Sequence, residues 1–255
     1  VNDNSTPTFT ASGNLEFCDG DSVVLTSSLA TSYDWSTGAI TRSITVFTSG
    51  EYYVTATLGT GCSGTSDTTD VTVFTNPTPS LTATGPLEFC AGESITLTVT
   101  ASNSYLWSTG ATGQSITVNA SGSYWATSTN INGCSGVTDT AVVIVNPNPT
   151  PTITPDGPLE FCDGDSVTLM SSAADSYLWS TGDTTQSTVV YTSGTFSVEV
   201  IDANSCSGAS APVTIIVNQL PFSFIFATGP TEFCDGDSVD LAARESAGYL
   251  WTTGD

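Results

Sequence analysis

Cysteine is the residue of this 255-residue sequence whose spacing most clearly implies covalent chemistry. The seven cysteines form two series that each repeat every 72 residues: Cys18, Cys90, Cys162 and Cys234, then Cys62, Cys134 and Cys206. There is no His in the chain to complete a mixed Cys/His zinc site. Disulfide bonds formed in an oxidising, extracellular setting are therefore the preferred interpretation.

Two pairing schemes fit this spacing. The first expectation is pairing within each repeat, which closes loops of 44 residues worth about 4 kcal/mol each on the chain-entropy model: Cys18–Cys62, Cys90–Cys134 and Cys162–Cys206. The alternative joins neighbouring repeats through Cys18–Cys134 and Cys90–Cys206. It arises because one cysteine precedes the second strand and the other follows the penultimate strand, which places them at opposite ends of a typical sandwich. In a head-to-tail string those two ends face each other.

Three acidic turns follow cysteines of the first series: Asp19-Gly20-Asp21, Asp163-Gly164-Asp165 and Asp235-Gly236-Asp237. Two carboxylates on one turn could bind calcium. The preferred interpretation is a plain turn in which Gly takes a positive φ, since the second repeat has Ala91-Gly92-Glu93 at the same place. We therefore expect no cofactor, with calcium as the alternative.

Catalysis is not expected from this composition. The chain lacks His and Lys, which removes the common general bases and nucleophile–base pairs. Its 25 acidic residues and two Arg give a net charge of −23, which argues against nucleic-acid binding. No apolar run is long enough for membrane insertion.

The elements that must position the cysteines repeat with them. Phe161-Cys162-Asp163-Gly164-Asp165-Ser166-Val167 has four copies, and Trp35, Trp107, Trp179 and Trp251 keep the same 72-residue interval. A fixed period of this kind indicates a tandem array. In the third copy, short alternating runs predict strands, with a loop between the last two: Thr152–Thr154, Val167–Leu169, Tyr177–Trp179, Ser187–Val190, Phe196–Val200 and Val213–Val217, and the loop Asn204–Gly208. The predicted fold is all-β, a tandem array of immunoglobulin-like β-sandwich domains with a 72-residue period.

The phase of the repeat sets the predicted domain boundaries. Residues 1–5 form the tail of a preceding repeat and its linker, 6–76 repeat 1, 77–148 repeat 2, 149–220 repeat 3, and 221–255 a partial repeat 4. Asn-Pro segments such as Asn76-Pro77-Thr78-Pro79 separate the repeats and should be stiff and extended. We expect the chain to be a window from a longer polymer of the same unit.

Four segments together resemble a known family: Cys162, Tyr177-Leu178-Trp179-Ser180-Thr181-Gly182, Ser193-Gly194-Thr195-Phe196 and Cys206-Ser207-Gly208. They look like the bacterial immunoglobulin-like repeats, related to polycystic-kidney-disease-type domains, of long secreted surface proteins of the Bacteroidota. The resemblance covers the whole chain. It implies an extracellular sandwich that serves as spacer, adhesin stalk or filament.

The same resemblance implies O-glycosylation at an Asp-Ser/Thr pattern, as in a bacterial glycoprotein. The matching hydroxyls are Ser22, Thr68, Thr140, Ser166, Thr184 and Ser238. Three of them recur at one position only because the acidic turn recurs.

Outward-facing apolar residues are the candidate assembly contacts. If the repeated Trp side chains fill the cores, alternation points their neighbours Leu106, Leu178 and Leu250 to solvent. Trp125 also lies at a position that alternation points outward. Phe222, Phe224 and Phe226 form an aromatic stripe on the first strand of the partial repeat 4. Such a run suggests contact with neighbouring repeats or chains.

The resulting functional prediction is a secreted structural protein of an extracellular fibre or cell-surface filament, whose partners are other copies of itself. The alternative is the repetitive stalk of a cell-surface adhesin or glycan-binding protein, with surface glycans as partners.

Overall fold

The computed structural model describes residues 6–222, 224–243, 248 and 250, and all regular structure among them is β-strand. Among these residues no helix has the length and apolar character that a bilayer span requires. The chain divides into two compact units, residues 1–145 and 146–255.

The described residues of repeat 1 form nine short strands. They are β1 (Phe9–Ala11), β2 (Glu16–Cys18), β3 (Val23–Ser27), β4 (Ser32–Trp35), β5 (Ser43–Val46), β6 (Gly50–Tyr52), β7 (Val54–Thr57), β8 (Ser63–Thr65) and β9 (Thr69–Phe74). One layer has the order β1-β3-β5. The other contains β2-β9-β6 and β4-β7-β8, since β6 and β7 are one strand interrupted at Tyr53.

Within that second layer β2 runs parallel to β9, while the other pairs of repeat 1 are antiparallel. Two layers connected in this way make an immunoglobulin-like sandwich.

The second repeat has the same nine strands at nearly the same phase. They are β10 (Leu81–Ala83), β11 (Glu88–Cys90), β12 (Ile95–Val99), β13 (Ser104–Trp107), β14 (Ser115–Val118), β15 (Gly122–Tyr124), β16 (Ala126–Thr129), β17 (Ser135–Val137) and β18 (Ala141–Asn146). The sheet orders are β10-β12-β14, β11-β18-β15 and β13-β16-β17.

The third repeat continues the series, and two strands of the fourth are described. They are β19 (Ile153–Pro155), β20 (Glu160–Cys162), β21 (Val167–Ser171), β22 (Ser176–Trp179), β23 (Ser187–Val190), β24 (Gly194–Phe196), β25 (Val198–Ile201), β26 (Ser207–Ala209), β27 (Val213–Asn218), β28 (Ile225–Ala227) and β29 (Leu241–Ala243). The molecule is thus an all-β tandem array of immunoglobulin-like sandwiches, which confirms the predicted fold class.

Three details of the strand prediction were wrong. The strand β20, which pairs in parallel with β27, was not predicted. The expected loop Asn204–Gly208 overlaps β26, because Ser207 pairs with Ile201 as the hairpin closes. The single expected strand Phe196–Val200 is divided at Ser197 into β24 and β25, which pair with β27 and β22 respectively. Short hydroxyl-rich segments carry little apolar alternation, so the pairing of β26 leaves only a weak signal in the sequence.

Each of the three full repeats has its own core around one tryptophan. Trp35, Trp107 and Trp179 are each 2% exposed, as predicted, and pack against the alternating apolar residues of the two layers. The indole N–H of Trp35 donates to the Thr41 carbonyl at 2.8 Å, and the other two make the same bond six residues ahead. Trp251 lies outside the described residues.

Candidate functional site: the junction between repeats 1 and 2

Cys18 is held at the end of β2 by a strand pair and a tight turn. It lies opposite Phe74 in the parallel β2–β9 pair, and the Asp19 N–H donates to the Phe74 carbonyl at 2.8 Å. The chain then reverses at Gly20, whose φ is +99°, and the Asp21 N–H donates to the Cys18 carbonyl at 3.0 Å. The cysteine therefore lies beside the segment through which repeat 1 leads into the linker.

Cys134 lies in the hairpin between β16 and β17 and is fully buried. The Asn130 side-chain oxygen accepts hydrogen bonds from the N–H groups of Asn132 and Cys134, both at 3.0 Å. This local bonding fixes the shape of the hairpin that carries Cys134.

The two cysteines form a disulfide with a Cα–Cα distance of 5.5 Å and a sequence separation of 116. The bond joins repeat 1 to repeat 2, so the first expectation, Cys18–Cys62, is wrong, as is Cys90–Cys134. The physical reason is the one behind the alternative scheme. The end of β2 and the hairpin after β16 lie at opposite ends of a sandwich, and they meet only across a junction.

Further contacts surround this bond. The Asn130 side-chain N–H donates to the Thr75 carbonyl at 3.2 Å, and Cys134 Sγ lies 3.9 Å from the Phe74 carbonyl oxygen. The Asn76 side chain donates to the Asp19 carbonyl at 2.8 Å. The end of repeat 1 is thus bound both to its own turn and to the hairpin of repeat 2.

Gly136 permits the linker to approach repeat 2 closely. A Cβ at this position would lie 1.9 Å from the Pro77 carbonyl oxygen, so only Gly fits without moving the backbone. Gly208 has the same relation to Pro149 in unit 2, at 1.8 Å. Sequence reasoning did not identify these glycines as functional, although the recurrence of Cys-Ser-Gly at the hairpin was visible.

Two further cysteines take part in disulfide bonding. Cys90 and Cys206, which lie one period after Cys18 and Cys134 in the sequence, are each disulfide-bonded. The Cys206 hairpin repeats the bonding of the Cys134 hairpin, with Asp202 as the side-chain acceptor at 2.9 Å. Cys162 and Cys234 are outside disulfides in the described chain, so the expected bond Cys162–Cys206 is wrong.

The acidic turns are exposed and have the geometry of plain turns. Gly20, Gly92, Gly164 and Gly236 all have φ between +95° and +101°. Among the described residues, no three Asp, Glu, Cys or His side chains lie together as a potential metal site. The positive φ values of the four glycines confirm the predicted glycine conformation.

An electrostatic feature that is specific to repeat 3 lies at Asp183. Hydrogen bonds from the hydroxyls of Thr188 and then Thr181 hold the pKa of Asp183 below its usual value. Repeats 1 and 2 have Ala and Ile at the positions of Asp183 and Thr188. In repeat 3 a paired carboxylate and a buried hydroxyl thus replace an apolar pair.

The candidate modification and assembly residues are on the surface. All six candidate glycosylation hydroxyls are exposed in irregular segments: Ser22, Thr68, Thr140, Ser166, Thr184 and Ser238. The candidate contact residues are exposed as well: Leu106, Leu178, Leu250, Trp125, Phe222, Phe224 and Phe226. Exposure makes these residues accessible, and their roles remain predictions.

Neither a protein-family model nor a curated protein sequence matches this chain. Solved structures do resemble it at low similarity. Murine CEACAM1b is 12% identical with a TM-score of 0.29, covering 55% of this chain and 100% of its own. Fibronectin(III)-like modules of Clostridium thermocellum CbhA are 18% identical with a TM-score of 0.29, covering 55% and 94%. Extracellular domains 3–5 of Drosophila OTK are 14% identical with a TM-score of 0.32, covering 80% and 93%.

Proposed function

We propose that this chain is part of a structural protein of an extracellular fibre or cell-surface filament. The observation that supports this most strongly is the Cys18–Cys134 disulfide, because it joins consecutive repeats instead of stabilising one repeat alone. Structural disulfides persist in oxidising compartments, which supports a secreted protein. A bond between repeats makes the array covalently continuous through a second route beside the backbone.

The size of the repeats explains why such bonds are useful. A sandwich of about 72 residues buries a small core and is marginal alone. Closing the 116-residue loop between Cys18 and Cys134 is worth about 5 kcal/mol on the chain-entropy model. Since the loop spans two repeats, this stabilisation is shared by both.

The acidic surface suits the same role. A net charge of −23 with only Arg42 and Arg244 as basic residues favours dispersed, self-repelling chains. It also leaves trypsin only two cleavage sites.

We further propose the domain boundaries 6–76, 77–148 and 149–220, the partial repeat 221–255, membership of the Bacteroidota repeat family, and glycosylation of the six exposed hydroxyls.

One observation favours the alternative, an adhesin stalk or glycan-binding protein. Trp125 is exposed on a sheet face of repeat 2, whereas Ser197 occupies its position in repeat 3. An exposed aromatic confined to some repeats is typical of a local binding site more than of a uniform fibre.

Electron microscopy of the native material at the cell surface distinguishes the fibre from the adhesin stalk. Long uniform threads with an axial period of one or two repeats are the expected result. Short stalks that end in a distinct head would overturn the fibre proposal in favour of the adhesin.

A further inference from the structure

The outer face of one sheet of repeat 2 is unusually apolar. Five exposed side chains from β13, the β15–β16 strand, β17 and β18 define what we call the repeat-2 face: Leu106 (55% exposed), Trp125 (42%), Val137 (60%), Val142 (57%) and Ile144 (46%). Exposed apolar patches of several hundred Å² on a monomer commonly mark interaction sites.

Strand pairing shows that these side chains share one surface. Leu106 pairs with Thr127, and Thr127 pairs with Val137 on the next strand. Trp125 lies two residues before Thr127 and faces the same side of the sheet. Its backbone is hydrogen-bonded to Ser108, which directly follows β13. Val142 pairs with Ser123, two residues before Trp125, so the patch extends over β13, the β15–β16 strand, β17 and β18.

The distribution of charge distinguishes this face from the same face of repeat 1, and to a smaller extent from that of repeat 3, which keeps Glu160 and adds the exposed Glu199 opposite Leu178. In repeat 1 the face carries four exposed carboxylates, from Glu16, Asp34, Glu51 and Asp70. In repeat 2 the equivalent positions retain only Glu88. Repeat 2 as a whole has three of the 25 acidic residues of the chain.

We propose that the repeat-2 face binds the same face of a second copy of this chain. Two chains that each carry a net charge of −23 repel each other over most of their surface. Contact through the repeat-2 face brings apolar side chains together while keeping opposed carboxylates to a minimum. An isologous pair uses one patch on both chains, as in most homodimers. The inference rests on the proposed fibre function and names its lateral contact.

Sedimentation velocity on the full oxidised chain tests this, after exposed thiols such as Cys162 have been alkylated to prevent disulfide-linked dimers. The expected result is a concentration-dependent dimer. Raising NaCl from about 0.02 to about 0.5 M should strengthen the dimer, because salt screens the repulsion and leaves apolar contact intact.

Two substitutions copy residues that repeat 1 already has at the same positions, Leu106→Asp and Val142→Asp, so the sandwich should tolerate them. Each should weaken dimerisation at least about tenfold, since a carboxylate would have to be buried against an apolar partner. Leu178→Asp is the matched control in repeat 3, where the exposure is nearly the same. It should leave the dimer unchanged. Circular dichroism and thermal melts verify folding of all three variants.

Several results would overturn the proposal: a chain that stays monomeric at every concentration and salt level, equal weakening by Leu178→Asp, or no effect of the two repeat-2 substitutions. A monomer that binds an oligosaccharide through Trp125 on a glycan array would overturn it too. Dimers in solution without threads on cells would contradict the fibre function but not the repeat-2 contact. Threads formed by chains that do not dimerise in solution would contradict the repeat-2 contact but not the fibre function.

Discussion

Pulling on the chain provides the sharpest test of the bond between repeats. Under tension, residues 18 and 134 cannot separate beyond the disulfide, so nearly all of repeat 1 after Cys18 and of repeat 2 before Cys134 is withheld from extension. The perturbation is reduction of this one bond. The double substitution Cys90→Ala/Cys206→Ala removes the other disulfide-bonded cysteines, so that only the Cys18–Cys134 bond contributes.

The magnitude follows from the sequence separation. A fully extended chain spans about 3.5 Å per residue, so the 116-residue loop holds about 400 Å of contour length. The folded bond already spans 5.5 Å between the Cα atoms, which is negligible beside that length. A within-repeat bond between Cys18 and Cys62 would hold only 44 residues, or about 150 Å.

Optical-tweezers extension of this variant, with handles at its two termini, measures the released length directly. The oxidised chain should unfold to a contour length about 400 Å shorter than that of the same chain in reductant. The triple variant that adds Cys18→Ala should show the long contour length under both conditions. A reductant-dependent gain near 150 Å, or no gain, would refute the assignment of the bond.

Three further changes test other parts of the structure. Gly136→Ala should destabilise the junction, because the new methyl group would meet the Pro77 carbonyl oxygen. Hydrogen–deuterium exchange followed by mass spectrometry should then show faster exchange of the linker amides. Unchanged exchange would contradict the close approach. Ser27→Ala should stabilise the chain by about 1 kcal/mol in urea titration, since it removes a buried hydroxyl without a hydrogen-bond partner among the described residues. Ser66→Ala is its matched control and should destabilise, because that hydroxyl accepts from the Val54 N–H and donates to the Asp67 carbonyl. Asp183→Ala/Thr188→Ile, which copies repeat 1, should remove part of the acid sensitivity of the chain.

The sign of that last effect follows from the lowered pKa of Asp183. A carboxyl whose pKa is lower in the folded state adds stability above its unfolded pKa, near 3.8, and loses it as the pH falls through the folded value. Thermal melts between about pH 5 and pH 2 should therefore show a smaller loss for the double variant than for the parent chain. Parallel melting curves would contradict the role given to the Thr188 hydroxyl.

Sequence periodicity was sufficient to predict the fold because the same pattern of residues occurs independently in each repeat. The recurrence of Trp35, Trp107 and Trp179 identified the core positions, and alternation around them correctly placed Leu106 and Leu178 in solvent. These are local properties of single strands, and local spacing determines them.

The disulfide partners could not be chosen from spacing alone. Cys18 is closer in sequence to Cys62 than to Cys134, and the chain-entropy cost of the longer loop differs by less than about 1 kcal/mol. The choice depends on which end of a sandwich each cysteine occupies and on how the next repeat is placed. The close approach of Gly136 to the linker is likewise a relation between distant segments, which no single repeat encodes.

The buried hydroxyls in the cores and the disulfide between repeats have opposite effects on the free energy of unfolding. Ser27, Ser128 and Ser171 each place a buried hydroxyl without a hydrogen-bond partner among the described residues, one in each of the three full repeats. Such a group costs about 1–3 kcal/mol, a large fraction of what a core of this size supplies. One bond between repeats, at about 5 kcal/mol, offsets that cost in two repeats together. We infer that stability in this array depends on linkage between repeats more than on optimal packing within each one.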